Sequence, residues 1–340
     1  MKILIDIAGA DNGIELPIFA ALNMIDKIEE KIVLVGKTDD IKLVLKNNNK
    51  ENYINKFEIL DCSEYITNYD EPALSIKNKK TSNLVVAFEY MRENDNTIFI
   101  SASNTGALMA GGLLKLGRIK GIHRPALMTL LPGVTGSDIV FLDSGANPEA
   151  KDISLVQYAK LGEIYAEHVL GITNPSIALL NIGAEEEKGT PTLKETYKLL
   201  KEGFPNFTGN IEARYILSGK ANVIVCDGLM GNIALKSLEG AASVIKNVIS
   251  TEFKKGLLNK MAGVIAKPFL TGALKRFDYK EHEGAVLLGI NKPVIKVHGS
   301  SSTITYEKAI IQAQKILKTN MIGKIEEELS KQKMDIIEEV

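Results

Sequence analysis

Asparagine, aspartate, serine, lysine and glycine recur in six short motifs, each directly after an apolar, strand-like run. KILIDI leads into Gly9-Ala10-Asp11-Asn12, TIFIS into Ala102-Ser103-Asn104-Thr105-Gly106, and DIVFLD into Ser144-Gly145-Ala146-Asn147. SIALLNI leads into Gly183 to Gly189, NVIVCD into Gly228-Leu229-Met230-Gly231-Asn232, and VIKVH into Gly299-Ser300-Ser301-Ser302. Ligands of open parallel sheets bind beyond the carboxyl ends of the strands. Six polar loops at such ends predict one large polar site. Its donors, Asn12, Asn104, Thr105, Asn147, Asn181, Lys188, Asn232, Ser300 and the loop N–H groups, can surround an oxyanion.

Asn104-Thr105-Gly106 opens a helix, which aims backbone N–H groups and a positive dipole end at an anion. Gly231-Asn232 repeats the device. Phosphate recognition fits both. Lys188 lies in an acidic loop and has two readings: it balances Glu185 to Glu187, or it neutralises a phosphate or a thioester oxyanion. Arg124, before Pro125, grips phosphate or forms a surface ion pair. Asp6, Asp143 and Asp227 end strands, where a carboxylate serves as a cap or hydrogen-bond acceptor. His298 ends the last strand and is structural or part of the site. Cys226 reads as a small buried core residue.

Other chemistries lack their residues. The sequence has no G-x-S-x-G elbow, no H-E-x-x-H, no histidine cluster, no P-loop and no G-x-G-x-x-G after the first strand. No metal and no cofactor are expected. The formal net charge of -1, from 41 basic and 42 acidic residues, argues against a general nucleic-acid binder. Two cysteines in apolar runs suit a reducing compartment. No signal peptide and no apolar run of membrane-spanning length is legible, so a cytoplasmic protein is expected.

The elements that must position these loops alternate strand and helix, the pattern of a parallel sheet with helical crossovers. Strands are predicted at 2–7, 31–36, 57–61, 97–101, 126–131, 138–143, 176–182, 222–227 and 293–298. Helices are predicted at 16–29, 39–46, 82–93, 105–116, 154–170, 193–202, 231–254 and 306–319, with a charged helix after Met321. One α/β unit over 1–340 is expected, with helices over 303–340 at its end.

Residues 252–277 break the alternation. Leu257, Met261, Val264 and Ile265 share one helical face. Pro268 is expected to interrupt it, and Phe269, Leu270, Ala273, Leu274 and Phe277 form a second apolar face. Between Phe253 and Phe277 stand six basic residues, Lys254, Lys255, Lys260 and Lys267 among them, and no acidic one. Such a basic amphipathic helical hairpin packs in a dimer interface, lies on an anionic membrane, or docks an acidic partner.

In order and spacing the motifs resemble the phosphate acyltransferase family known as PlsX. The resemblance rests on Asp6–Asn12, Lys79-Lys80 with Ser82, SASNTGALMA from Ser101, Arg124-Pro125-Ala126 and LDSGAN from Leu142. It continues through NIGAEEEKG from Asn181, NFTGNIEAR from Asn206, VCDGLMGNIALK from Val225, EGAVLLG from Glu283 and HGSSS from His298. The likeness implies a three-layer α/β/α, mostly parallel Rossmann-like fold akin to isocitrate and isopropylmalate dehydrogenases. It implies a homodimer that moves a fatty acyl group from acyl carrier protein to inorganic phosphate, peripheral to the inner membrane face. Departures from the family pattern include Ala8 and Ala10 in the first loop, Thr81 for Asp, Asn83 for Ser, Ser103 for Gly, Ala213 and Tyr215 around Arg214, and Val286 for Pro.

In that reading phosphate attacks the thioester directly. Lys188 and Arg124 offset its charge, and Asn104 and Thr105 are neutral donors. Asn232 stabilises the oxyanion, and Asp227 orients Lys188 or Asn232. Asp11, Asn12, Asp143, Asn147, Asn181, His298 and Ser300 complete the substrate site. Rival readings are a transferase acting on coenzyme A thioesters, a glycine-reductase-type subunit, a metal-dependent hydroxyacid dehydrogenase and a non-catalytic membrane scaffold.

Overall fold

The computed structural model describes residues 1–275 and 284–331, with side chains inside the last stretch before residue 276 described up to Phe269. The strands are β1 (Lys2–Asp6), β2 (Lys31–Gly36), β3 (Glu58–Asp61), β4 (Thr97–Ser101), β5 (Ala126–Pro132), β6 (Asp138–Leu142), β7 (Ile177–Asn181), β8 (Phe207–Glu212), β9 (Val223–Val225), β10 (Ala285–Leu288) and β11 (Val294–Lys296). The helices are α1 (Glu15–Met24), α2 (Thr38–Asn47), α3 (Pro72–Asn78), α4 (Asn83–Glu93), α5 (Thr105–Gly111), α6 (Asp152–His168), α7 (Pro191–Gly203), α8 (Gly228–Glu252), α9 (Gly256–Lys275), α10 (Thr303–Lys318) and α11 (Met321–Lys331). Side chains start several of them. Asp227 caps α8, Thr190 and Pro191 open α7, and Ser302 with Thr305 forms a capping box on α10.

Among the described residues the strands form one sheet, ordered β3-β2-β1-β4-β11-β10-β5-β6-β9-β7-β8. Most pairings are parallel, as the alternation predicts, but the sheet has two halves of opposite sense. β1 to β4 and β11 run together; β6 to β9 run together; β10 pairs antiparallel with β11 and β5, and β5 with β6. The six polar loops therefore leave the sheet from two edges. The loops after β1, β4 and β11 leave one edge, and those after β6, β7 and β9 leave the other. The reversal is made by the β5–β6 hairpin, whose turn carries Pro132, Gly133 and Gly136. Turn residues a few positions apart between two apolar runs are a hairpin signal.

Helices cover both faces. One face carries a continuous core from Ile3, Ile5 and Ile7 through Val140 and Leu142 to Ile177, packed by α1, α6 and α10. The opposite face carries two separate cores, one around Phe88 and Phe99, the other around Phe141, Ile211 and Cys226. The cleft lies over Thr129 of β5, Ala285 of β10 and Lys296 of β11, on the face that carries those two cores.

Two strands were not legible as such. β8 is a partly buried edge strand, polar and interrupted by Gly209 at φ +94°, so it lacks apolar alternation. β10 is four residues long and antiparallel. Pro268 does not interrupt a helix. It lies inside α9, and the break falls earlier, at 253–255, before Gly256 with φ +76°. Proline deprives the carbonyl four residues back of its donor, but that residue, Val264, is on an exposed stretch, so water replaces the lost partner. Gly263 of α9 rests on the Phe253 ring. Of the expected second face, Phe277 lies outside the described residues, as does the tail beyond 331, and the side chains of Leu270, Ala273 and Leu274 are likewise outside them.

Candidate active site

Residue types fix the floor of the cleft. Thr129, Ala285 and Lys296 lie side by side on β5, β10 and β11: Ala285 pairs with Lys296, and Thr129 is one step beyond the Met128–Val286 pair. The cavity above them measures about 540 Å³. Asp11, Thr105, His298, Ser300 and Ser301 rim it from one half of the molecule; Ser144, Gly145 and Asn232 rim it from the other. An apolar wall of Leu131, Pro132, Leu217, Leu235, Leu238 and Ala242 continues from this polar end.

Lys296 is the feature that motif reading missed. Its Nζ donates to the carbonyl oxygens of Ala102 at 2.8 Å and Val297 at 2.5 Å. Burial pushes its pKa down to about 8, against the opposing pull of Asp11 and Asp6. The signal was available: a lysine inside the apolar run VIKVH, at a position whose strand neighbours face the core. Lys236 and Glu239, on successive turns of α8, also line the cavity, and burial raises the Glu239 pKa.

The expected site residues separate into groups. Asp11, Thr105, Asn232, His298 and Ser300 meet in the cavity. Asn12 is exposed in the loop after β1. The Asn104 side chain accepts from Ala107 N at 3.1 Å and so caps α5. The His298 ring turns toward Ser300: Ser300 N donates to Nδ1 at 3.1 Å, and the Ser300 hydroxyl is 2.8 Å from the same nitrogen.

A second group organises loops on the other edge. Asp143 accepts from the N–H groups of Leu127, Gly145, Ala146 and Asn147 and from the Asn147 side chain. Burial still raises its pKa, since removing a carboxylate from water outweighs those bonds. The Asn147 amide also donates to Pro125 O and to the Tyr158 hydroxyl. Asn181 bonds Lys188 O, Asn210 and Ile182 N, and thereby folds the Lys188 loop. The Asp227 carboxylate accepts from Met230 N at 2.8 Å and makes no hydrogen bond to Lys188 or Asn232.

Lys188 is exposed and stands outside the cavity lining. Two of the neighbouring glutamates have other partners: Glu186 pairs with Lys201 and Glu187 lies within 3.9 Å of Lys194, while Glu185 and Lys188 flank Gly183. Arg124 is exposed at the start of β5; its charge is felt at His123 and Tyr158. Asn232 is placed by packing: a Cβ on Gly145 would lie 3.6 Å from it, and Gly231 sits so close to the Asp143 carbonyl that no side chain fits. Both cysteines are free and buried, and burial pushes the Cys62 thiol up to about 12, so neither is an activated nucleophile.

The two departures Asn83 and Ser103 converge. Both side chains donate to the buried Asp6 carboxylate, at 2.9 and 2.7 Å, and Ser101 adds a third bond at 2.6 Å. Ser103 also lies where a side chain on Gly9 would collide with it.

Known proteins point the same way. A family model described as "Fatty acid synthesis protein" matches residues 1–324. A phosphate acyltransferase of Alkaliphilus oremlandii is 44% identical over 332 residues, 97% of this chain and 98% of that protein. One of Thermoanaerobacterium thermosaccharolyticum is 42% identical over 332 residues, 97% of each. Among solved structures, a phosphotransacetylase from Streptococcus pyogenes superposes with a TM-score of 0.61 at 17% identity, over 94% of each chain; at that identity it speaks for the fold. Sequence, fold and cleft together place the chain in the phosphate acyltransferase family.

Proposed function

We propose that the cleft transfers a fatty acyl group from a thioester to inorganic phosphate, giving an acyl phosphate for phospholipid synthesis. The observation that carries this is one cavity with a polar floor bearing a lysine and an apolar wall leading away from it. The relatives' shared name, phosphate acyltransferase, supports the same reaction.

A phosphate oxygen attacks the carbonyl carbon, a C–O bond forms and the C–S bond breaks. The hydrogen phosphate's proton ends on the departing sulfur. No covalent acyl-enzyme is needed, since phosphate is itself the nucleophile. Holding two reactants in line supplies roughly 7–11 kcal/mol of a barrier in well-oriented cases. Asn232 is assigned the developing oxyanion, and Thr105 and Ser300 donate at the other rim.

Acyl carrier protein is the proposed donor. Lys254, Lys260 and Lys267 are exposed on the α8–α9 projection and suit an acidic partner; Lys255 is held by Glu252 at 2.5 Å. The same projection is proposed to rest on a membrane. Leu257, Met261, Ile265 and Phe269 are all exposed, Leu257 to 76% and Phe269 to 77%. The Leu270 side chain lies outside the described residues. No described helix is long and apolar enough to cross a membrane. A homodimer is part of the proposal, and Lys188 and Arg124, outside the cavity of one chain, are proposed to act on substrate groups that reach beyond it.

The deciding experiment supplies palmitoyl-acyl carrier protein, palmitoyl-coenzyme A and butyryl-coenzyme A in parallel, with and without phosphate, and traps acyl phosphate as hydroxamate. Phosphate-dependent product from the carrier-protein thioester supports the reading. Product from coenzyme A thioesters alone moves the donor assignment, and no product from any of them defeats the proposal.

A further inference from the structure

We infer that Lys296 and Ser301 hold the phosphate nucleophile. This rests on the acyl-transfer reading above and adds the residues that select its second substrate. An ammonium has three donors. Two of those on Lys296 are taken by Ala102 O and Val297 O, which ties β4 to β11 and leaves the third for the cavity. Ser301 is 1% exposed, lines the same cavity and has no hydrogen-bond partner for its hydroxyl. Buried hydroxyls in native proteins are almost always satisfied, so an orphan in the lining of a cavity that a lysine also lines marks a place for an acceptor from outside. A phosphate oxygen is such an acceptor, and it takes both the Ser301 proton and the free Lys296 proton.

Asp11 rims the same end of the cavity. Hydrogen phosphate retains a proton that it donates to this carboxylate. Sulfate is of similar size and charge but has no proton at neutral pH, and it meets Asp11 as like charge. The site therefore prefers phosphate to sulfate.

The test has a binding arm and a kinetic arm on the full-length protein. In thermal melts, phosphate raises Tm of the wild type and equimolar sulfate does so far less; Lys296→Met abolishes the phosphate response. Ser301→Ala keeps or raises Tm without phosphate, because it removes an unsatisfied hydroxyl, yet shrinks the phosphate response. In turnover, Lys296→Met raises KM for phosphate tenfold or more while KM for the thioester stays within twofold, and Lys296→Arg recovers part of the loss. If Lys296→Met fails to fold, Ser301→Ala carries the test alone, with KM for phosphate raised severalfold. Unchanged phosphate KM in an active enzyme, or a change confined to the thioester KM, overturns the inference and leaves the acyl-transfer reading standing. A wild type that turns over no thioester defeats that reading, while a phosphate response lost in Lys296→Met still supports the anion site. Absence of any phosphate response in the wild type overturns the inference.

Discussion

At the scale of single residues, the proposed reaction assigns the carbonyl to Asn232 and the phosphate to Lys296. Asn232→Ala should lower kcat by about 10²–10³, the usual loss for one oxyanion donor, with KM for phosphate little changed; steady-state kinetics checks it. Lys296 sits with a pKa of about 8, so it is charged below that pH and neutral above it. Phosphate affinity should be full on the acid side and fall as pH rises through this value, and Lys296→Arg should move the fall to higher pH. Asp6 and Asp11 oppose the downward shift, and His298, Lys236 and Glu239 share the cavity, so the fit must allow for them. The Asp6 cluster makes a separate prediction. Ser103→Gly alone should cost about 1–3 kcal/mol by stripping a buried carboxylate of a donor. Asn83→Ser combined with it should depart from additivity, because both side chains serve one acceptor and lie 3.2 Å apart. Denaturant melts of the two single variants and the double variant measure the coupling. The motifs named most of the loops that matter, but not what each side chain does. Asn147 and Asn181 look like ligand donors in sequence and Asp143 like a further substrate-site residue, yet their bonds fold their own loops. Lys296 and Ser301 were passed over because burial, which gives them meaning, is not written in a motif.

At the scale of elements, α8 carries both Asn232, the proposed oxyanion donor, and part of the apolar wall. Only Gly228 and Gly231 of this helix are fully buried, while Met230, Ala234, Leu235 and Leu238 pack half-buried against the core around Phe141, so its N-terminal turns anchor it to the body of one chain. Gly231→Ala should be severe: the new Cβ would overlap the Asp143 carbonyl oxygen and reach 2.9 Å from the Cys226 sulfur. Overpacking of this kind costs about 1–3 kcal/mol. It should also displace Asn232, so turnover should fall further than stability alone accounts for; melts and kcat measured on the same preparation separate the two effects. Most strands and helices were legible from apolar runs and their period. The exceptions have physical reasons: β8 is polar at a sheet edge, β10 is too short to show alternation, and α9 runs through its proline in water.

At the scale of the whole molecule, two parallel half-sheets meet head to tail across β5 and β10. Alternation of strand and helix announces an α/β protein but not the sense of each half. That depends on a hairpin of a few residues, and it decides that the polar loops leave from two edges. The exposed apolar side chains of α9 predict that sedimentation with anionic vesicles carries the protein down. Charged replacements at Leu257 and Phe269 should abolish this while leaving turnover of a soluble thioester near wild type. Retention of vesicle binding by that double variant would remove α9 from the membrane proposal.

The helix that carries Asn232 ends at Glu252, next to the exposed apolar side chains of Leu257 and Leu258. Twenty residues separate Asn232 from Glu252, a rise of about 30 Å. Leu235, Leu238 and Ala242 follow Asn232 along it, and Val244, Ile245 and Val248 continue outward. Under the proposed reaction, one helix joins the place where an acyl phosphate would form to the exposed apolar tip, so a single rigid rod fixes the distance between the two.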